Sequence, residues 1–235
     1  MFEPLSGPEL AALFLSMKVA VVAVTGALPP SIFCAYALAR WRFVGHGLLN
    51  GLVHLPLVLP PVVTGYFLLL GFGRNGYLGV ALERCCGLIF AFRWTGAALA
   101  AGIMAFPLIV RAIRLSIENV DYQLENAAKS LGANRLRVFF SITLPLAYPG
   151  ILAGTILGFA KALGEFGATI TFVSNIPGET QTLPSAIYSY TQSPGGDIAA
   201  LRLAGLAVII SMAALLLSEI LARRAEKVRG QSLKA

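Results

Sequence analysis

The sequence predicts an all-α polytopic membrane protein with about five transmembrane helices, its N-terminus outside and its C-terminus cytoplasmic. Three observations predict it. Of 235 residues, 57% are hydrophobic and only 12% are charged, where a soluble domain usually carries about 25% charge. The mean hydropathy is +0.78, so the chain cannot cover a water-facing surface of its size. Five apolar stretches are long enough to cross a bilayer, which takes about 20 mainly apolar residues, and Lys and Arg gather in alternate connections.

The first span runs over 10–38 and ends at the sequence Ala-Arg-Trp-Arg. The segment before it, MFEPLSGPEL, is acidic and shows no small-residue cleavage site, so the span is expected to be retained. Lys18 lies near enough to one end to snorkel. The second span, 48–72, is uncharged but holds Pro56, Pro60 and Pro61. Each proline removes a backbone donor and bends a helix. Membranes tolerate such breaks where other helices or a water-filled cavity satisfy the freed groups, and both gating and purely structural helices use them.

The third span covers 94–110, the fourth 144–173 and the fifth 198–221, with a basic tail at 222–235. Within the fourth, Lys161 and Glu165 are one helical turn apart. Ionisable groups inside a membrane point to function, and here they can also neutralise each other. A structural or gating pair is favoured over direct contact with cargo.

The charge asymmetry sets the orientation. Arg40 and Arg42 follow span one. Arg111, Arg114, Lys129, Arg135 and Arg137 follow span three, and Arg223, Arg224, Lys227, Arg229 and Lys234 follow span five. The opposite-side connections hold only Arg74, Arg84, Arg93 and Arg202. These three groups mark the cytoplasmic side.

The segment 118–143 is then the longest cytoplasmic connection, and it carries its own helical pattern. Leu124, Ala127, Ala128 and Leu131 fall on one stripe. Asn119 or Asp121 can cap its start. Gly132 stands where a left-handed cap wants glycine, and Asn134 can cap a second short helix with Leu136, Phe139 and Phe140. Pro145 suits the opening of the next span. The two alanines leave room for close approach by a partner, although an amphipathic helix resting on lipid has the same pattern.

The run ENAAKSLGANRLRVFFSITLP, 125–145, resembles the cytoplasmic signature loop of ABC importer permeases. In that family the loop forms a coupling helix seated in a cleft of the ATPase subunit. Ala127, Ala128, Gly132, Ile142, Leu144 and Pro145 match the family pattern. The family's Glu position is Asn126 here, with Glu125 one place earlier, so either can make the family's polar contact. The run HLPLVLPPVVTGYFLL, 54–69, and the segment 159–188 resemble molybdate importer permeases, a resemblance that extends from about residue 10 to 221. The core Gly164–Ala168 is shared with sulfate permeases.

The resemblance implies a type I, methionine-importer-like ABC permease fold in the bacterial inner membrane. It implies an ABC ATPase dimer, a periplasmic molybdate-binding protein and a second copy of the chain as partners, besides membrane lipid, and no nucleic acid. The chain itself would bind no cofactor; ATP and Mg belong to the ATPase. Sulfate, thiosulfate or tungstate is the alternative cargo.

Candidate coupling residues are Glu125, Asn126, Ala127, Ala128, Gly132, Leu144 and Pro145. Candidate pathway or gating residues are Pro60, Pro61, Lys161, Glu165 and Thr169. The cations available inside the spans, Lys18, Lys161 and Arg202, look scattered, so the path is expected to pass an oxyanion along without gripping it. The external segment 175–197 is rich in Pro, Gly, Ser and Thr and reads as a loop that docks a partner or forms a cap.

Enzyme chemistry is not expected. No Gly-x-x-x-x-Gly-Lys-Ser/Thr phosphate loop is present. The chain holds two isolated His and three Cys (Cys34, Cys85, Cys86) without metal-ligand spacing, and no metal is expected.

Overall fold

The computed structural model describes residues 5–232, with side chains through Ile220 apart from Ser218. The helices run in order: α1 Gly7–Arg40, α2 His46–Val58, α3 Pro61–Phe72, α4 Tyr77–Cys86, α5 Trp94–Glu118, α6 Tyr122–Ser130, α7 Arg135–Val138, a π turn Phe139–Thr143, α8 Leu144–Leu146, α9 Tyr148–Leu163, α10 Gly167–Val173, α11 Leu183–Thr191 and α12 Asp197–Ser232. No strand occurs among the described residues.

Three helices, α1, α5 and α12, are long and apolar enough to cross a membrane singly. Two bent pairs bring the number to five. Helix α5 is the central post. Of its most apolar stretch 67% is buried, against 11% for α12, which lies at the periphery with Val208, Ile209 and Met212 facing outward.

The second span is not one helix. It turns by 112° between α2 and α3. Of its three prolines, Pro56 stays inside α2. Leu59 and Pro60 each precede a proline, which disfavours the helical region for both; the same Leu-Pro-Pro order at 28–30 stays inside α1, so the prolines permit the corner without dictating it. Leu59 takes φ −71, ψ 143 and Pro60 takes φ −54, ψ 133.

The fourth span also departs from its expected form. Leu144 and Pro145 follow the segment 118–143, and the membrane helix α9 starts at Tyr148 after a 67° bend. Pro145 supplies no N–H for a bond back to Ser141, and the preceding turn widens so that the Leu144 N–H reaches the Phe139 carbonyl. A second break at Gly164–Phe166 separates α9 from α10. The third span, expected at 94–110, continues as α5 to Glu118. The segment 175–197, expected to be external, contains a helix, α11, seated on α1 by a hydrogen bond from the Leu183 N–H to Ser16 Oγ. The basic tail, 222–235, lies outside the described side chains.

Helix α9 lies against α5 along Gly150, Gly154 and Gly158, a small residue at every fourth position. A Cβ at Gly150 would stand 2.9 Å from the Ala112 carbonyl oxygen, and one at Gly158 would stand 2.6 Å from Ile109 Cγ1. Gly150→Val is therefore expected to lower stability by about 1–3 kcal/mol. The measurement is thermal unfolding of the detergent-solubilised protein, and an unshifted midpoint would remove the close-approach argument.

Candidate functional site

The end of the bundle where α1 finishes and α5 finishes carries the segment 118–143. Asn119 terminates α5. Asp121 then starts α6, its Oδ1 accepting the Gln123 N–H at 2.8 Å. Gly132, at φ +88, turns the chain out of α6, and Asn134 caps α7 by accepting the Arg137 N–H at 2.8 Å.

Helix α6 has two faces of opposite character. Its inner face presents Tyr122, Glu125 and Lys129 to the end of α1. Glu125 is 1% exposed. Its carboxylate pairs with the Arg40 guanidinium at 3.0 Å and accepts the Thr143 hydroxyl at 2.8 Å. Arg40 also donates to the Val120 carbonyl at 2.9 Å and stands over the Tyr122 ring. One buried ion pair thus joins the first span, the start of α6 and the π turn.

The outer face is different. Leu124 is 49% exposed and Leu131 90%; Asn126 and Ala127 are exposed and Ala128 is half-buried. Leu136 and Phe140 continue the uncovered apolar surface. Pro145 is exposed and Leu144 half-buried. Of the candidate coupling residues, then, Glu125 faces inward and Asn126, Ala127 and Gly132 face away from the protein.

Arg40 and Thr143 are the residues that sequence reasoning passed over. Arg40 was legible only as one of the charges that set orientation. The signal for Glu125 was its angular position, about 100° off the Leu124–Leu131 stripe at 3.6 residues per turn.

The second cluster lies where the two broken spans meet. Helix α3 packs on α10: a Cβ at Gly65 would stand 2.9 Å from Thr171 Cβ, and one at Gly167 would stand 2.7 Å from Pro61 Cβ. Lys161 Nζ lies 2.7 Å from Glu165 Oε2. Oε1 of the same carboxylate accepts the Ala168 N–H at 3.0 Å and so satisfies the start of α10. Thr169 Oγ1 donates to the Phe166 carbonyl at 2.8 Å. The structure therefore brings Pro61, Lys161, Glu165 and Thr169 to one junction, with Pro60 at its corner. Thr64 Oγ1 is buried beside them without a partner. An unpartnered buried hydroxyl costs about 1–3 kcal/mol.

The chain connects the two clusters directly. From Thr143 it passes through α8 and the Ala147 corner into α9, and α9 ends at the Lys161–Glu165 break. Sixteen helical residues span about 24 Å. Rigid motion of α6 would be carried along α9 to the junction.

Residues 27–227 match the family described as binding-protein-dependent transport system inner membrane component. The molybdenum transport system permease protein ModB of Haemophilus influenzae is 57% identical over 95% of this chain and 97% of its own length. The sulfate transport system permease protein CysW of Synechococcus elongatus is 36% identical over 84% of this chain and 70% of its own. A solved bacterial ABC transporter involved in import of the acidic polysaccharide alginate has the same fold, with a TM-score of 0.73 at 17% identity, over 93% of this chain and 80% of that one.

Proposed function

Because the chain belongs to the family of binding-protein-dependent transport system inner membrane components, we propose that it is the permease subunit of an ABC importer carrying molybdate across the bacterial inner membrane. Two copies line one path. A periplasmic binding protein delivers the ion, and a cytoplasmic pair of ATPases, holding ATP and Mg, drives each cycle.

The observation that carries this reading is the two-faced helix α6. Its outer apolar surface is uncovered while its inner surface is fixed by Arg40–Glu125. An exposed apolar patch with a rigid backing marks a protein contact, and the partner it fits is the cleft of an ATPase. Closure of the ATPases displaces α6, and α9 carries the displacement to the Glu165 break. There α10 and α3 part or close as a packed pair. The cations Arg40, Arg42, Lys129 and Arg135 line one cavity at this end of the bundle, which supports a cytoplasmic location for it.

A divalent ion is costly inside hydrocarbon. The junction offers it the Thr64 hydroxyl and the polar backbone exposed by two breaks. It offers no concentrated positive site, in keeping with passage instead of retention. The choice of molybdate over sulfate rests on likeness: 57% identity to a molybdenum permease against 36% to a sulfate permease.

The test is ATP-dependent uptake of labelled molybdate into vesicles holding this permease, its ATPase and its binding protein, with sulfate in large excess. Uptake is expected to survive the sulfate. Uptake erased by sulfate would move the cargo to sulfate and leave the coupling reading in place.

A further inference from the structure

A cavity of about 640 Å³ opens at the end of the bundle opposite α6. Lys18, on its wall, lies about 33 Å along α1 from Arg40 at 1.5 Å per residue. The other walls are Arg74, the stretch 87–93, the start of α5 and the turn at Gly178 and Glu179.

Three cations from three separate segments line it: Lys18, Arg74 and Arg93. The sequence shows them as unrelated. The side chains of Arg74 and Arg93 have no ion-pair or hydrogen-bond partner among the described residues. Lys18 Nζ stands 3.6 Å over the Trp94 ring, a contact that orients an ammonium without cancelling its charge. One carboxylate, Glu179, faces them.

Two features of the backbone add to the field. The 25-residue helix α5 begins at Trp94, so the positive end of its dipole abuts the cavity. Phe92, between buried Ala91 and Arg93, adopts φ +57. A non-glycine residue persists there only when its surroundings over-determine it. The Thr95 hydroxyl, bonded to the Ile89 carbonyl, holds the same turn. The Arg93 backbone is thereby fixed at the rim.

A recess in which cations outnumber carboxylates, here three to one, over apolar walls concentrates the counter-ion. We infer that this cavity is an entry vestibule for a tetrahedral divalent oxyanion, with Lys18, Arg74 and Arg93 as its ligands. Glu179 opposes them and keeps the ion exchangeable. The inference rests on the transport reading and deepens it: the ion leaves its carrier protein for this vestibule before it meets the α3–α10 junction. The cations inside the spans, Lys18, Lys161 and Arg202, stay apart as expected; the cluster at the mouth forms because Arg74 and Arg93 of the connections join Lys18.

Trp94 is a built-in reporter. The chain has two tryptophans, so Trp41→Phe leaves Trp94 alone beneath Lys18. The full chain with this change, in nanodiscs, is titrated with sodium tungstate and with sodium sulfate, against sodium chloride at equal ionic strength. A saturable fluorescence change is expected with the oxyanions and not with chloride. Adding Arg74→Gln and Arg93→Gln should raise the half-saturating concentration at least fivefold, and Glu179→Gln should lower it at least twofold.

A response equal in chloride would mean screening only and overturn the vestibule. So would an unchanged half-saturation in the double variant, including the case where that variant instead weakens docking of the binding protein. Molybdate uptake with no oxyanion response at Trp94 removes the vestibule and leaves the transport reading. A saturable response without ATP-dependent uptake removes the transport reading and leaves the oxyanion site.

Discussion

Glu125→Ala is expected to stop ATP-dependent uptake while the chain still inserts. The substitution leaves Arg40, 11% exposed at its side chain, without its counter-charge. Removing one partner of a buried pair costs about 3–5 kcal/mol. Thr143 loses its acceptor at the same time. Helix α6 has nine residues, too few to persist alone, since isolated helices need roughly 12–15. Its inner face would detach from α1, and the ATPase would push against a segment with no backing.

The cause can be separated from simple loss of packing. The double variant Glu125→Ala with Arg40→Met removes the buried charge altogether, and such pairs can be replaced by apolar residues at little cost. It should recover stability relative to the single variant but not uptake, because the tie to Thr143 and Val120 is still missing. Thermal unfolding and vesicle uptake read the two quantities independently. A double variant no more stable than Glu125→Ala would contradict the buried-charge account.

Gly132→Val is the second large effect. At φ +88 the backbone sits where a branched side chain is strained by roughly 1–2 kcal/mol. No atom lies within 4 Å of the position a Cβ would take, so the effect is one of backbone alone. The turn would relax toward negative φ and swing α7 away from α6, which splits the uncovered surface of Leu131 and Leu136. Uptake is expected to vanish with insertion intact. Gly132→Asn, which tolerates the left-handed region, should retain most of it. Normal uptake by the valine variant would sink the coupling role of this turn.

Much of this end of the molecule was legible because its determinants are local. Asp121, Gly132 and Asn134 act on backbone groups within a few residues, so their positions could be read from spacing. The spans were legible as apolar stretches. The prolines marked the second span as broken but not where, since Leu28-Pro29-Pro30 stays helical in α1 while Leu59-Pro60-Pro61 makes a corner.

Long-range partners left no mark in the sequence. Arg40 and Glu125 are 85 residues apart, and Lys18, Arg74 and Arg93 come from three segments. The repeat of glycine at 150, 154 and 158 was readable and went unread, because the apolar run around it already satisfied the expectation of a span. The segment 175–197 looked like a loop by composition, yet Pro184 opens α11 where its missing N–H costs nothing.

The corner between α2 and α3 also bears on the order of biosynthesis. Its cover, α10, begins about 100 residues after α3 ends. At a synthesis rate of roughly 5–20 residues per second, the bent pair waits on the order of ten seconds before the helix that packs on α3 has been made. Neither half, at 13 and 12 residues, is long enough to cross alone. The α10 face of the second span is therefore expected to stay unpacked until the fourth span has been made.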